Sequence, residues 1–174
     1  MAEVAVTVIG NDRVGIVAGI TRVLYDLGCN LEDANSTILR GHFAMMLVVR
    51  PPEGVDAAAM ERALASTADE LGVMVTARPV DEATSEVALP THIVSVYGAD
   101  KPGIVYRVAE ILAGSGANIT DLTSRVTGAA DHPVYALLLE VQMAEPDAVE
   151  AALTAVKSEL GVDVTVRPLE TDLL

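Results

Sequence analysis

The chain carries one plan twice. Residues 4–80 and 92–169 align with few gaps, and the best-matched segment is a short turn. The first copy reads Gly10-Asn-Asp-Arg-Val-Gly-Ile-Val17 and the second Gly98-Ala-Asp-Lys-Pro-Gly-Ile-Val105. Further along each copy comes Gly-x-Asn-(Leu/Ile)-x-Asp, Gly28 to Asp33 and Gly116 to Asp121. A duplication on this scale divides 174 residues into two small domains of one fold. The boundaries expected are residues 1–80 for the first domain, 81–91 for a linker and 92–174 for the second. The linker is acidic and small, Asp-Glu-Ala-Thr-Ser-Glu-Val-Ala-Leu-Pro over residues 81–90. A unit of about 80 residues buries only roughly 60–65 % of its chain surface, so it benefits from leaning on its twin.

Each copy reads strand, helix, strand, strand, helix, strand. The first strand (Val4 to Ile9; His92 to Tyr97) is short and β-branched, bounded by Gly10 or Gly98. Ile16, Ile20, Val23, Leu24 and Leu27 then recur with helical spacing, as do Ile104, Val108, Ile111 and Leu112. Asp12 and Asp100 stand where an N-cap is expected, and Pro102 suits a first helical turn. Gly28 and Gly116 stand where a left-handed residue ends a helix. A hairpin follows, Asn30–Leu39 with His42–Arg50 about an Arg40-Gly41 turn, and Asn118–Thr127 with Val134–Met143 about a longer loop at 128–133. Second helices span roughly Asp56 to Leu71 and Asp147 to Leu160, followed by a last strand and Arg-Pro (Arg78-Pro79, Arg167-Pro168). The βαββαβ order is the ferredoxin-like motif of an α+β fold. Right-handed crossovers put both helices on one sheet face and leave the other face in need of a cover.

Composition narrows the partners. The net charge is −14 and the eleven basic residues are scattered singly, with one Phe, four Tyr and no Trp. Phosphate backbones require clustered Lys and Arg, and single strands require aromatic platforms, so direct nucleic-acid binding is not expected. Mean hydropathy is +0.41, yet no apolar run reaches the roughly 18 residues of a membrane span. A strand-like segment begins at once, without the basic region of a signal peptide. One cysteine excludes an internal disulfide and fits a reducing cytoplasm.

Motifs for chemistry are scarce. Gly10-x4-Gly15 lacks the Lys-Ser/Thr of a phosphate loop, and no Gly-x-Gly-x-x-Gly occurs; no cofactor is expected. His42, His92 and His132 are isolated, without metal-ligand spacing, and read as ordinary strand or loop residues. Cys29 corresponds to Ala117, so a thiol role would be confined to one copy. Ser36 and Ser124 match but sit in no nucleophile elbow. Met45 and Met46 fall in a strand, where filling gaps is the default role. The repeated turn is left. In one reading Gly15 and Gly103 let the helix start close to the sheet while Asp12 and Asp100 cap it. In the other, the helix N-terminus receives an anion such as an amino-acid carboxylate, Asn30 and Asn118 offer bidentate amides from the neighbouring strand, and the glycines leave room for the ligand's backbone.

Asp-(Arg/Lys)-x-Gly-Ile-Val followed by Gly-x-Asn-(Leu/Ile)-x-Asp, repeated inside βαββαβ, resembles the ACT domain, a regulatory amino-acid-binding module. The resemblance covers nearly the whole chain. Gly28-Cys29-Asn30-Leu31-Glu32-Asp33 with His42-Phe43-Ala44-Met45-Met46-Leu47 is similar to the glycine cleavage system transcriptional repressor family. Similar tandem pairs precede catalytic domains in phosphoserine phosphatases, and formyltetrahydrofolate deformylases carry a related module. The resemblance implies a four-stranded antiparallel sheet per domain, homo-oligomers, and ligand sites at interfaces between domains. The ligand residues it implies are Asp12, Gly15, Ile16 and Asn30, with Asp100, Gly103, Ile104 and Asn118. Val14 departs from the family's proline, which the second copy keeps as Pro102, and Ala99 replaces Asn11. The function implied is a cytoplasmic, non-enzymatic regulator that senses a small amino acid, glycine or serine, and acts on a protein partner, a transcription factor or a metabolic enzyme. A ligand-free interaction module or a detached regulatory subunit is the competing expectation.

Overall fold

The computed structural model describes residues 3–80, 88–129 and 132–169. Residues 81–87 of the expected linker, and 130–131 of the expected second hairpin loop, lie outside the described residues. Contacts divide the chain into two compact units, Met1–Thr84 and Ser85–Leu174.

The first unit runs β1 (Glu3–Asn11), α1 (Ile16–Asp26), β2 (Asn30–Leu39), β3 (His42–Arg50), α2 (Ala57–Leu71) and β4 (Val73–Val80). The second repeats it as β5 (His92–Ala99), α3 (Ile104–Gly114), β6 (Asn118–Ala129), β7 (His132–Gln142), α4 (Pro146–Leu160) and β8 (Val162–Pro168). Each unit holds one antiparallel four-stranded sheet, ordered β2-β3-β1-β4 and β6-β7-β5-β8. These are the two tandem ferredoxin-like domains expected. The first strands run two residues further than expected, through Asn11 and Ala99.

Strand periodicity places one face of each sheet under the helices. Val4, Val6 and Val8 on β1, with Phe43, Met45, Leu47 and Val49 on β3, bury against Ile16, Ile20, Leu24, Met60 and Leu64. The second core repeats this with Val94, Val96, Leu137, Leu139, Val141, Ile104, Val108, Leu112, Val149 and Leu153. Met45 and Met46 therefore part company: the first is core, while the second is 52 % exposed on the opposite face. All ten residues of the edge strand β2 are exposed.

The helix ends follow local chemistry. Gly28 N–H donates to the Tyr25 carbonyl and Cys29 N–H to that of Leu24. Gly116 and Ala117 repeat this with Ala113 and Leu112, and both glycines have positive φ. This is the Schellman closure expected at those glycines. Gly10 and Gly98 do not bound the strand. They lie inside it, where an added Cβ would come within 2.7 Å of Val73 or Val162 on the adjoining strand.

Candidate functional site

The β1–α1 turn is anchored at two points. The Asp12 amide donates to the Gly41 carbonyl at 2.8 Å, joining it to the β2–β3 hairpin. Arg40 and Gly41 both have positive φ, as a two-residue type I′ hairpin demands. The Arg13 guanidinium donates to the Glu70 carbonyl at 3.2 Å, and Lys101 Nζ to the Leu160 carbonyl at 2.7 Å. Each cation thus meets the C-terminal turn of the unit's other helix, where orphan carbonyls and the helix dipole favour positive charge. The repeated basic residue after the aspartate signals this role in the sequence, but its partner is some 57–59 residues distant.

The capping expected of Asp12 and Asp100 is not what is found. The N-caps are Gly15 (φ 100°) and Gly103 (φ 93°), and no side chain bonds to either helix start. With the N-cap at these left-handed glycines, the aspartates stand three residues short of the capping position. Nor does the helix begin at Pro102; it begins at Ile104. The glycines serve by conformation, not by close approach to the sheet: nothing stands within 4 Å of a Cβ built at either. The first intrahelical bonds are Gly19 N–H to Gly15 and Arg107 N–H to Gly103. The amides of Ile16, Val17 and Ala18, and of Ile104, Val105 and Tyr106, precede them as orphan donors. Val14, at the tip, is 99 % exposed.

Asn30 and Asn118 do not join these turns. Asn30 pairs with Arg50, and Val4 with Val49, while Asn11 pairs with His42. Asn30 therefore sits at the start of β1 and the turn at its end, about 25 Å apart by strand rise. Asn30 Nδ2 donates to Glu32 Oε1 at 2.7 Å. Arg50 bridges that carboxylate (2.9 Å) to Glu3 (3.1 Å). Asn118 faces Gln142 across the ladder, a position without those charges. Asp12, Gly15 and Ile16 are thus one group and Asn30 another, as are Asp100, Gly103 and Ile104 against Asn118.

Two hollows lie on the helix side of β2, about 130 and 170 Å³ in volume, both bordered by Thr21 and Leu31. Cys29 borders the larger, and burial pushes its thiol up. On α3 of the second unit, Arg107 bonds Glu110 and Glu159, and Tyr106 donates to Glu110. The tyrosine hydrogen bond, ahead of the neighbouring guanidinium, holds the Glu110 carboxyl below its usual range. Among the described residues, no three His, Cys, Asp or Glu side chains gather closely enough to hold a metal ion. No helix there is long and apolar enough to cross a membrane.

Comparison with known proteins fits this geometry. The ACT domain family model matches residues 3–78 and 91–167. A UPF0237 protein of Methanocaldococcus jannaschii is 43 % identical over 76 residues, covering 43 % of this chain and 84 % of its own. Phosphoserine phosphatase SerB2 of Mycobacterium tuberculosis is 30 % identical over 169 residues; these span 94 % of this chain but 40 % of the phosphatase. Among solved structures, an unknown protein from Galdieria sulphuraria superposes with a TM-score of 0.82 at 29 % identity, covering 97 % of this chain and 98 % of that one. A protein assigned as a glycine cleavage system transcriptional repressor shares the fold, with a TM-score of 0.68 at 14 % identity and 97 % coverage of both chains. With both of its halves matched, the chain belongs to the ACT domain family.

Proposed function

We propose that the chain is a non-enzymatic regulator that binds a small free amino acid at its repeated turns and passes the signal to a protein partner. The observation that supports this most is the uncapped start of α1 and α3. No side chain caps the three orphan amides of either helix start, and nothing stands within 4 Å of a Cβ built on the glycine before them; a bare helix N-terminus of this kind can receive a carboxylate. Glycine or serine is the ligand class suggested by the glycine cleavage repressor family. A ligand held by both a turn and an Asn30-type amide takes them from two different units, because one sheet keeps them at opposite ends. Homo-oligomerisation, which the family resemblance implies, is part of the proposal. The acidic charge favours a protein partner, a transcription factor or a metabolic enzyme in the cytoplasm, over nucleic acid. The exposed edge strand β2 favours a second reading, a ligand-free interaction module, since an uncovered edge invites pairing.

A thermal-shift screen of the purified chain against the twenty amino acids separates the two. A ligand at about 100 times its Kd adds roughly 2.7 kcal/mol. For a chain of this size that moves the midpoint by about 5–10 °C. A shift confined to one or two related amino acids, reduced in Asn30→Ala or Asn118→Ala without loss of fold, supports the sensor. No shift with any amino acid transfers the function to protein–protein contact alone.

A further inference from the structure

We infer that the chain dimerises through the outer edge of β8, laid antiparallel on the β8 of a second copy and centred on Thr165. This gives a surface to the homo-oligomerisation proposed above, and it holds whether or not an amino acid binds. β8 ends the order β6-β7-β5-β8, so one of its edges pairs with no strand of its sheet. The Leu169 amide donates inward, to the Thr91 carbonyl at 2.8 Å. Inward and outward groups alternate along a strand, so the amides of Val162, Val164 and Val166 point outward.

The residue order of β8 makes this edge complementary to itself. In an antiparallel pair about Thr165, Val164 and the partner's Val166 exchange both amide–carbonyl bonds. Val162 donates to the partner's Pro168 carbonyl, the one ladder group that a proline keeps. On the sheet face away from the helices, Asp163 comes opposite the partner's Arg167 and Arg167 opposite the partner's Asp163. Asp163, Thr165 and Arg167 are exposed, and within their own sheet Asp163 faces Tyr97 and Arg167 faces Ile93. Neither charge therefore meets its opposite across β5. Side chains facing each other across a new strand pair lie about 4.5–5.5 Å apart at Cβ, where opposite charges attract. Charges on an edge ordinarily discourage pairing. Set with opposite signs on either side of Thr165, they instead select one partner and one register, the two-fold arrangement of a homodimer.

The duplication supplies the contrast. Position for position, Val73-Met74-Val75-Thr76-Ala77-Arg78-Pro79 on β4 aligns with Val162-Asp163-Val164-Thr165-Val166-Arg167-Pro168 on β8. Met74 stands in place of the acid, so the same pairing on β4 would leave Arg78 without a counter-charge. The outward amide of Ala77 is also occupied, donating to Glu61 Oε1 at 2.7 Å. No such side-chain bond closes the β8 edge among the described residues.

Sedimentation equilibrium of the full chain is the test, with circular dichroism to check the fold of each variant. The parent should be a dimer. Asp163→Arg or Arg167→Asp alone sets like charges opposite each other at both ends of the strand pair, and each should weaken the dimer at least about tenfold. Mixing the two variants restores opposite charges at both ends and should return dimers of parental strength. Arg78→Asp, the aligned change on β4, should leave the dimer as it is. Amide exchange on the parent needs no variant: the Val164 and Val166 amides should be protected at high concentration and lose that protection on dilution, while the Val75 amide should not change. A parent that stays monomeric through the micromolar range overturns the inference, as does exchange at Val164 and Val166 that is independent of concentration. So does a dimer that neither single substitution weakens, that the mixture fails to restore, or that Arg78→Asp weakens equally. None of these results bears on amino-acid binding, which the thermal-shift screen decides separately.

Discussion

Replacing Gly10 by alanine should destabilise the first unit far more than replacing Gly15, although Gly15 has the unusual backbone. A Cβ on Gly10 would lie 2.7 Å from Val73 Cγ1, 2.9 Å from the Gly72 carbonyl oxygen and 3.0 Å from Val73 Cα. Two of those three atoms are backbone, at the helix-to-strand junction that starts β4, so no side-chain rotation relieves the contact. Overpacking of this kind costs roughly 1–3 kcal/mol, and the upper half of that range applies where backbone must move. At Gly15 nothing lies within 4 Å of the added carbon. Only the left-handed conformation is penalised, by about 1 kcal/mol. Gly98 is an internal replicate with looser contacts, 2.7 Å to a Val162 methyl but 3.1 Å to Val162 Cα, and should fall between. Tryptophan is absent, so far-UV circular dichroism is the probe, followed through thermal and urea unfolding. With about 4–8 °C per kcal/mol for a domain this small, Gly10→Ala should lower the first unit's midpoint by roughly 8–24 °C and Gly15→Ala by roughly 4–8 °C. A Gly10→Ala variant within about 0.5 kcal/mol of the parent, or one more stable than Gly15→Ala, would refute the close-approach role argued for Gly10.

Other consequences can be measured on the same protein. The Asp56 carboxylate accepts from the Ala59 amide at 2.7 Å as the N-cap of α2, so Asp56→Ala should cost about 1 kcal/mol in a urea melt. Asp12→Ala, whose side chain caps nothing, should stay within about 0.5 kcal/mol; equal losses would mean that Asp12 does cap. Arg13→Ala and Lys101→Ala should each cost about 0.5–1 kcal/mol, and the loss should shrink in high salt; salt-independent losses would point to packing instead. Burial raises the Cys29 thiol above its ordinary 9.0, so alkylation at mildly alkaline pH should run slower than for free cysteine. The folded state favours the protonated thiol, so its contribution to stability is fully present below the ordinary value and lost as pH rises through the folded one.

Much of the architecture was legible because it is written in local periodicity. Apolar spacing marks α1 through Ile16, Ile20 and Leu24, all of them buried. Alternation marks β1 and β3, and Gly28 and Gly116 end their helices through hydrogen bonds spanning only three to five residues. The hairpin strands Asn30–Leu39 and His42–Arg50 have the bounds their sequence suggests. The site was less legible. Asp12 three residues before Gly15 looks like a cap until the φ of Gly15 is known, and a dihedral angle of 100° is not written in residue type. The partners of Arg13 and Lys101 lie on another helix, out of reach of any sequence window.

The sequence by itself determined the number of units, their element order and the identity of the turn, because a duplicated pattern of hydrophobic periods and glycine stops is enough to specify them. Only the tertiary structure decided which of the repeated residues can act together. Strand pairing carries Asn30 to one end of the sheet and Gly15 to the other, and register sets Ala34 over Leu47 where the twin sets Leu122 over Leu139. Both are outcomes of long-range pairing, in which a shift of one residue turns every side chain to the opposite face.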